Sequence, residues 1–144
     1  MVIACPYVMV TISPQERKAL EEALDDEYKS HATYEQVIRD FGPARPFINI
    51  VEAEARHVSA LLSLFEQYSI PVPKNHWPSH TVRFASVHEA CAAAVQAEIE
   101  NAALYDRLLA SVQRPELRVV LQSLQSASRD RHLPAFLRCV QRRA

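Results

Sequence analysis

The stretch FINIVEAEARHVSAL, residues 47–61, predicts an amphipathic helix that carries two polar residues on its apolar face. Apolar residues recur there at alternating spacings of three and four, which is the period of a helix packed into a bundle. Glu54 and His57 interrupt this face, and positions three apart differ by about 60° around a helix, so the two side chains can reach one point. The complete face reads Phe47, Ile50, Glu54, His57, Leu61, Leu64 and Tyr68.

The composition favours helices along the whole chain. Only one of the 144 residues is glycine, and 49% of the residues are hydrophobic. Sandwiches, barrels and nucleotide-binding α/β folds need glycines at turns and phosphate loops, so a single glycine argues against them. The length suits one domain. We therefore predict a single all-α domain over residues 1–144.

Prolines divide the sequence into four predicted helices, at about 14–40, 46–68, 86–112 and 115–141. Ser13 and Ser86 are placed as N-caps, and Glu89 completes a capping box with Ser86. Short loops join the first to the second helix and the third to the fourth. The proline-rich stretch of about 15 residues between them is long enough to cross a bundle. We predict a four-helix bundle with one long crossover between helices 2 and 3.

An internal repeat relates the two helix pairs. An offset of 71 residues places Glu27 on Glu98 and Tyr34 on Tyr105. An offset of 75 places His57 on His132, although it also places Glu54 on Arg129. The second half of the chain is therefore an imperfect copy of the first.

Each predicted helix places a metal-competent side chain at mid-length on its core face. Three buried carboxylates that converge on one point repel one another unless a cation lies between them. Oxygen and imidazole ligands suit iron, manganese or zinc better than copper or an iron-sulfur cluster. We predict a metal centre and no organic cofactor, with ligands Glu27, Glu54, His57, Glu98 and His132.

Other polar residues have simpler interpretations. His31 shares the face of the first helix but has no counterpart in the repeat, and Glu100 replaces Glu98 as the inner residue only if the third helix is rotated. Tyr34 and Tyr105 are expected to donate hydrogen bonds to the carboxylates or to pack in the core. The histidines of the crossover and of the next helix start, His76, His80 and His88, are expected to be solvated.

This pattern resembles the ferritin-like, rubrerythrin-related carboxylate proteins over roughly residues 16–138. The runs DEYK (26–29), NIVEAEARH (49–57) and HLPAF (132–136) are more similar to a little-characterised bacterial branch of ferritin-like domains. The resemblance implies terminal carboxylates, a bridging carboxylate and two imidazole ligands around iron or manganese, and reaction with peroxide or dioxygen. These roles fall on Glu27 and Glu98, on Glu54, and on His57 and His132 respectively.

The chain departs from the family pattern at the second bridging position. A Glu would be expected three residues before His132, where Arg129 stands, and Asn101 occupies the site of a second Glu after Glu98. A guanidinium there replaces one cation, so we predict at most about one ion per chain, held by Glu27, Glu54 and His57. The alternative is a degenerate bundle without catalysis, an interaction or oligomerisation module with Arg129 in place of a metal.

Charge and cysteine usage bound the partners and the compartment. The 16 Lys and Arg residues nearly balance the 17 Asp and Glu residues, so we predict no nucleic-acid or membrane partner. A homodimer is the one protein assembly that we consider. Residues 1–10 are apolar but resemble neither a signal peptide nor a membrane span. Cys5, Cys91 and Cys139 form no paired motif, so we predict reduced, mostly buried thiols and a cytoplasmic location.

Overall fold

The computed structural model describes residues 11–143, and this range is helical with no strand, as predicted for an all-α four-helix bundle. A short 3₁₀ turn, Trp77–Ser79, lies in the long crossover. A π-helical segment, Ser128–His132, joins the last two helices into one continuous fourth rod. The helices are α1 (Pro14–Phe41), α2 (Phe47–Gln67), α3 (Val87–Leu109), α4 (Pro115–Ala127) and α5 (Leu133–Arg142).

Serine side chains begin α1 and α3, as predicted. The Ser13 hydroxyl accepts a hydrogen bond from the Glu16 backbone N–H at 3.1 Å, and the Glu16 carboxylate accepts one from the Ser13 backbone N–H. Ser86 accepts from the Glu89 backbone N–H at 3.1 Å. Each cap satisfies backbone donors that the first helical turn leaves unpaired.

The third helix ends at Leu109, three residues before the predicted end at 112. The Glu16 carboxylate, at the start of α1, accepts hydrogen bonds from the backbone N–H groups of Gln113 and Arg114 at 3.2 and 3.0 Å. This contact holds the α3–α4 turn against α1, while Val112 still lies in the core. A tertiary contact therefore ends the helix before its apolar pattern stops.

The crossover follows the length of α1. The Trp77 indole N–H donates to Asp25 at 2.9 Å, and the Arg83 guanidinium donates to Asp40 at 3.0 and 2.6 Å. Positions 25 and 40 are separated by about 22 Å along a helix. The connection therefore crosses the bundle, which returns the chain to the end where α3 must begin.

Two apolar clusters fill the core, and a polar layer lies between them. Along α1, α2, α3 and the continuous α4–α5 helix, the inward-facing polar residues of this layer lie between residues of one apolar cluster and residues of the other. One cluster includes Leu20, Leu24, Leu61, Leu121 and Leu124, and the other includes Tyr34, Val37, Phe47, Ala94 and Phe136. The apolar layers cover the polar layer on both sides, so its side chains are almost completely buried.

The π-helical segment corrects the prediction of an uninterrupted fourth helix. Ile50 and Glu54 correspond to Leu124 and Ser128 at an offset of 74 residues, whereas His57 and Leu61 correspond to His132 and Phe136 at an offset of 75. All eight positions face inward, so the fourth rod carries one extra residue between the two parts. A π-bulge accommodates such an insertion without rotating the flanking helix out of register.

The cysteines also differ from prediction. Cys91 on α3 and Cys139 on α5 are fully buried, as expected, but they form a disulfide with a Cα–Cα distance of 6.1 Å. The prediction of reduced thiols is therefore wrong for this pair. Cys5 and the rest of residues 1–10 lie outside the described residues, and the cytoplasmic location stays a prediction.

Within residues 11–143, no helix combines the length and the apolar character needed to cross a bilayer.

Breaking the disulfide should lower the stability of the bundle. The bond joins positions 48 residues apart, and the unfolded chain gains the conformational freedom of that loop when it is cut. We expect the double variant Cys91→Ala and Cys139→Ala to lose about 4 kcal/mol of unfolding free energy in urea titrations. Under non-reducing denaturation, thiol counting should find Cys91 and Cys139 unreactive. Three free thiols, or an unchanged stability, would contradict the bond.

Candidate metal centre

The five predicted ligands meet in the polar layer of the core. They form two overlapping groups, Glu27 with Glu54 and His57, and Glu54 with Glu98 and His132. In each group one potential ligand atom per residue lies within 4.8 Å of the others. Their side chains are at most 14% exposed. Glu54 belongs to both groups, which is the position that a bridging carboxylate would occupy.

The imidazole nitrogens face the carboxylates at similar distances in the two groups. His57 Nδ1 lies 3.4 Å from Glu27 Oε2 and 3.3 Å from Glu54 Oε2. His132 Nδ1 lies 3.2 Å from Glu54 Oε1 and 3.5 Å from Glu98 Oε1. The two rings stack with their centroids 5.6 Å apart. The contacts of the two histidines with the carboxylates are therefore nearly symmetrical about Glu54.

Two tyrosines support the outer carboxylates across the bundle. Tyr34 on α1 donates to Glu98 on α3 at 2.9 Å, and Tyr105 on α3 donates to Glu27 on α1. Burial and nearby carboxylates raise the pKa of both phenols, so both stay protonated as donors. At Glu27 the bond from Tyr105 is to Oε1, and Oε2 faces His57. At Glu98 the same oxygen, Oε1, accepts from Tyr34 and faces His132, while Oε2 contacts the Ser128 hydroxyl. The two tyrosine hydrogen bonds confirm the predicted donor role of these residues.

Arg129 lies outside the centre, so the prediction that its guanidinium takes the place of a cation there is wrong. Its side chain is 56% exposed and pairs with Asp130 at 3.1 Å. The extra residue in the π-helical segment instead brings Ser128 to the position that corresponds to Glu54. The Ser128 hydroxyl lies within hydrogen-bonding distance of the Glu98 carboxylate and of the Glu98 backbone oxygen. No guanidinium occupies the polar layer of the described chain, so the reason for predicting a single ion disappears.

Burial and crowding distribute protons unevenly over the metal-free centre. Burial, reinforced by the charge of Glu54, raises the pKa of Glu27 to about 8. Burial disfavours a charged His57, but the carboxylates of Glu27 and Glu54 outweigh this and raise its pKa to about 9. Burial also disfavours a charged His132, but the carboxylates of Glu54 and Glu98 outweigh this effect and raise its pKa to about 9. Burial is also outweighed at Glu54, where contacts with Glu27 and both histidines lower the pKa.

Unsatisfied polar atoms concentrate in this layer. Among residues 11–143, three buried side-chain nitrogen or oxygen atoms make no well-aligned hydrogen bond, and two of them are Glu54 Oε2 and His132 Nδ1. Both atoms lie 3.2–3.5 Å from ionisable groups of the same layer, so their contacts are ionic and poorly aligned for hydrogen bonding. An unpaired buried polar atom costs about 1–3 kcal/mol. Both atoms belong to groups that prefer to coordinate a cation, and both face the middle of the layer. The residues present therefore fit a bound divalent metal.

The other polar residues named from the sequence stand away from the ligands. His31 Nδ1 lies 3.5 Å from Glu35 at a half-exposed position, and Glu100 is exposed. His80 contacts the backbone oxygen of His76 in the crossover. None of these residues belongs to a potential metal group within the described part of the chain.

Asp26 is the neighbouring carboxylate that the sequence did not single out. Burial, followed by the charge of Glu27, raises its pKa to about 7, and the Asn101 amide donates to it. Successive residues of an α-helix are rotated by about 100°, so the residue next to Glu27 is predicted to lie at the edge of the core and not on its inner face. The only available signal was Asn101, a polar residue on the inner face of the third helix.

Comparison with known proteins supports the architecture. No protein-family model and no curated protein sequence matches the chain. Its fold is similar to that of a solved structure, the hypothetical protein MJ0754 from Methanococcus jannaschii, with a TM-score of 0.82. The sequences are 21% identical, and the match covers 99% of this chain and 86% of that chain. At this identity the likeness shows the shared fold alone.

The metal-free protein should lose stability as the pH rises from about 6 to 9. Folding raises the pKa of Glu27 from 4.5 to about 8 and those of His57 and His132 from 6.5 to about 9, so the folded state holds protons that the unfolded state releases. Thermal melts of chelator-treated protein across this range test the sign. His57→Gln should flatten the dependence and His76→Gln, in the crossover, should not. A stability that rises with pH would contradict this charge distribution.

Proposed function

We propose that this protein is a ferritin-like metal-binding protein whose core would hold two ions of iron or manganese, with Glu54 as a ligand available to both. Glu27 and His57 would complete the ligands of one ion, and Glu98 and His132 would complete those of the other. The earlier expectation of a single ion rested on Arg129, which lies at the surface. Because the Arg129 charge lies away from the centre, nothing opposes a second cation there, and each of the two ligand groups can hold one ion.

One observation carries the proposal: two groups of potential ligands share Glu54, and in these groups Glu54 Oε2 and His132 Nδ1 make no well-aligned hydrogen bond. A core evolved only for packing would fill this layer with apolar side chains, because each buried, uncompensated charge costs several kcal/mol. A structural hydrogen-bond network would leave few polar atoms without partners. A pair of divalent ions accounts for both the shared carboxylate and the two poorly bonded atoms.

Charge balance supports cations at this place. The layer contains three carboxylates and two imidazoles, and within residues 11–143 no Lys or Arg contacts those three carboxylates. In the metal-free protein the counter-charges are the protons of His57 and His132, which bound cations would replace. Mixed oxygen and nitrogen donors suit iron, manganese and zinc. When bound, iron or manganese would supply redox chemistry toward peroxide or dioxygen, which zinc does not provide.

The residues around the ligands would prepare the site before the metal arrives. Tyr34 and Tyr105 hold the outer carboxylates in place, and the apolar layers cover the site above and below. Glu27, His57 and His132 keep protons at neutral pH in the metal-free state. These protons must leave when metal binds, so binding should release protons to the solvent.

The alternative of a non-catalytic interaction module loses its specific support. That interpretation placed Arg129 in the centre as a substitute for a cation, and the side chain instead pairs with Asp130. A module of this kind would remain metal-free after exposure to iron and manganese. Metal analysis therefore separates the two functions.

Metal stoichiometry should follow the division into two groups. Protein loaded anaerobically with ferrous iron and desalted should carry about two ions per chain, and His57→Ala and His132→Ala should each carry about one. Glu54→Ala should retain almost none, because it removes a ligand from both ions. Glu52→Ala, on the exposed face of the same helix, is the matched control and should keep both ions. Elemental analysis with circular dichroism on each variant checks occupancy and folding. A metal-free wild type would contradict the proposal.

Substitutions at adjacent positions should distinguish the two faces of the π-helical segment. Ser128→Glu places a fourth carboxylate opposite Glu54, so it should tighten metal binding by about tenfold or more and lower the melting temperature of the metal-free protein. Arg129→Glu makes an equally acidic side chain on the outer face and should leave the affinity within about twofold. Calorimetric titration with manganese measures both. A larger effect at position 129 would contradict the inward orientation of Ser128.

A further inference from the structure

A groove opens between α1 and α3 on one side of the metal centre. Its volume is about 490 Å³, and the wall on α3 is made largely of alanines, among them Ala90, Ala93, Ala94 and Ala97. Small side chains on one helix leave space that larger ones would fill, and the groove reaches residues as deeply buried as Ala90 and Phe47. A largely apolar cavity of about 300–1,000 Å³ between the helices of a bundle is a common ligand site.

The two ends of the groove differ in polarity. Helices α1 and α3 are antiparallel, since Asp26 bonds to Asn101 whereas Tyr34 bonds to Glu98. The end near Tyr34 is walled by aromatic and apolar side chains, including Phe47 and Phe84. The opposite end carries ionisable groups. These are Asp26, Lys29 and Glu100.

The ionisable end has an excess of carboxyl groups available to a ligand. Its ammonium group, on Lys29, already lies 5.3 Å from the centre of the Trp77 ring. Within the described residues, Glu100 is exposed and accepts a hydrogen bond only from Gln96 of its own helix, while Asp26 accepts from Asn101. Lys29 keeps its charge against the Trp77 ring, so two carboxyl groups and one ammonium group line this end. The excess of carboxyl groups favours a cationic or uncharged hydrogen-bonding group over an anion.

Tyr34 connects the groove to the metal centre. Its ring lines the groove, and its hydroxyl donates to the Glu98 carboxylate. A molecule that lies along the groove would contact the residue that positions a proposed metal ligand. The wall on α3 runs from Ala90 to Leu104, which is about 20 Å at the rise of an α-helix, and its alanines occupy the first half, about 10 Å, up to Ala97. This elongated shape suits a linear molecule.

We propose that this groove binds a linear aliphatic amphiphile whose polar head is uncharged or positively charged. The chain lies against the alanines and the aromatic end, and the head lies near Asp26 and Glu100. Binding itself does not require the metal. The further assignment of this molecule as a substrate of the centre rests on the proposed function.

Calorimetric titration of the full chain with decylamine, decanol and decanoate, each below its aggregation concentration, tests the ligand class. Decylamine and decanol should bind saturably at about one per chain, and decanoate should bind at least about tenfold more weakly than decylamine. Equal or tighter binding of decanoate, or no saturable binding of any of the three, would overturn the proposal. Because metal content is measured separately on the same samples, loss of metal binding would not be mistaken for loss of amphiphile binding.

Paired variants test the location. Ala93→Leu fills the groove and should weaken decylamine at least about tenfold, whereas Ala92→Leu, one residue along on the solvent side of α3, should not. Ala97→Leu, at an exposed part of the wall, is the second filling variant if Ala93→Leu melts early. Glu100→Gln should reduce the preference for decylamine over decanoate, with Glu52→Gln as the matched charge control. Unchanged affinity in both filling variants would overturn the proposal.

A second copy of this chain is the competing occupant of the groove. Sedimentation of wild type and Ala93→Leu protein distinguishes it, because a groove occupied by another chain would give a dimer that the substitution dissociates. A monomer, or a dimer that survives Ala93→Leu, is the result expected for an amphiphile site. A dimer lost in the variant would overturn the proposal.

Discussion

The constraint on which this structure depends is the burial of three carboxylates and two imidazoles in one layer of a helical core. Buried charges of like sign raise the free energy of the folded state unless a counter-charge or hydrogen bonds compensate them. The tyrosines, the stacked histidines and the apolar layers above and below all act on this layer. No helix could slide by one turn along its neighbours without separating Glu54 from its partners. The polar layer therefore sets the register of the bundle as well as the chemistry of its centre.

A single extra residue makes the two halves of the centre unequal. The first half of the chain places Glu54 and His57 three residues apart, and the second half places Ser128 and His132 four apart across a π-helical segment. The insertion keeps both histidines in the core while Arg129 moves to the surface. Of these two equivalent inner positions, one thus carries the carboxylate of Glu54 and the other carries the Ser128 hydroxyl, which contacts Glu98. The layer has three carboxylates, one fewer than the four of the ferritin-like pattern. The two proposed divalent metal ions and these three carboxylates would therefore carry a net positive charge.

The sequence was sufficient wherever regular helical periodicity held. Prolines and serine caps located the four rods, and the apolar faces identified Glu27, Glu54, His57, Glu98 and His132 as inward positions, although their role as ligands stays a prediction. Periodicity failed at Arg129, because an inserted residue changes the face of every position within the bulge while leaving the flanking pattern intact. The Cys91–Cys139 pair was missed for a different reason. Its partners are distant in sequence, and only the antiparallel packing of α3 and α5 brings them together.

Anomalous X-ray diffraction from crystals of manganese- or iron-loaded protein, collected on both sides of the metal absorption edge, tests the central claim most directly. The account predicts two anomalous peaks about 3.5–4 Å apart on either side of Glu54, one beside Glu27 and His57 and the other beside Glu98 and His132. It also predicts that the Arg129 side chain contacts neither peak. A single peak, or peaks that lie away from Glu54, would contradict it.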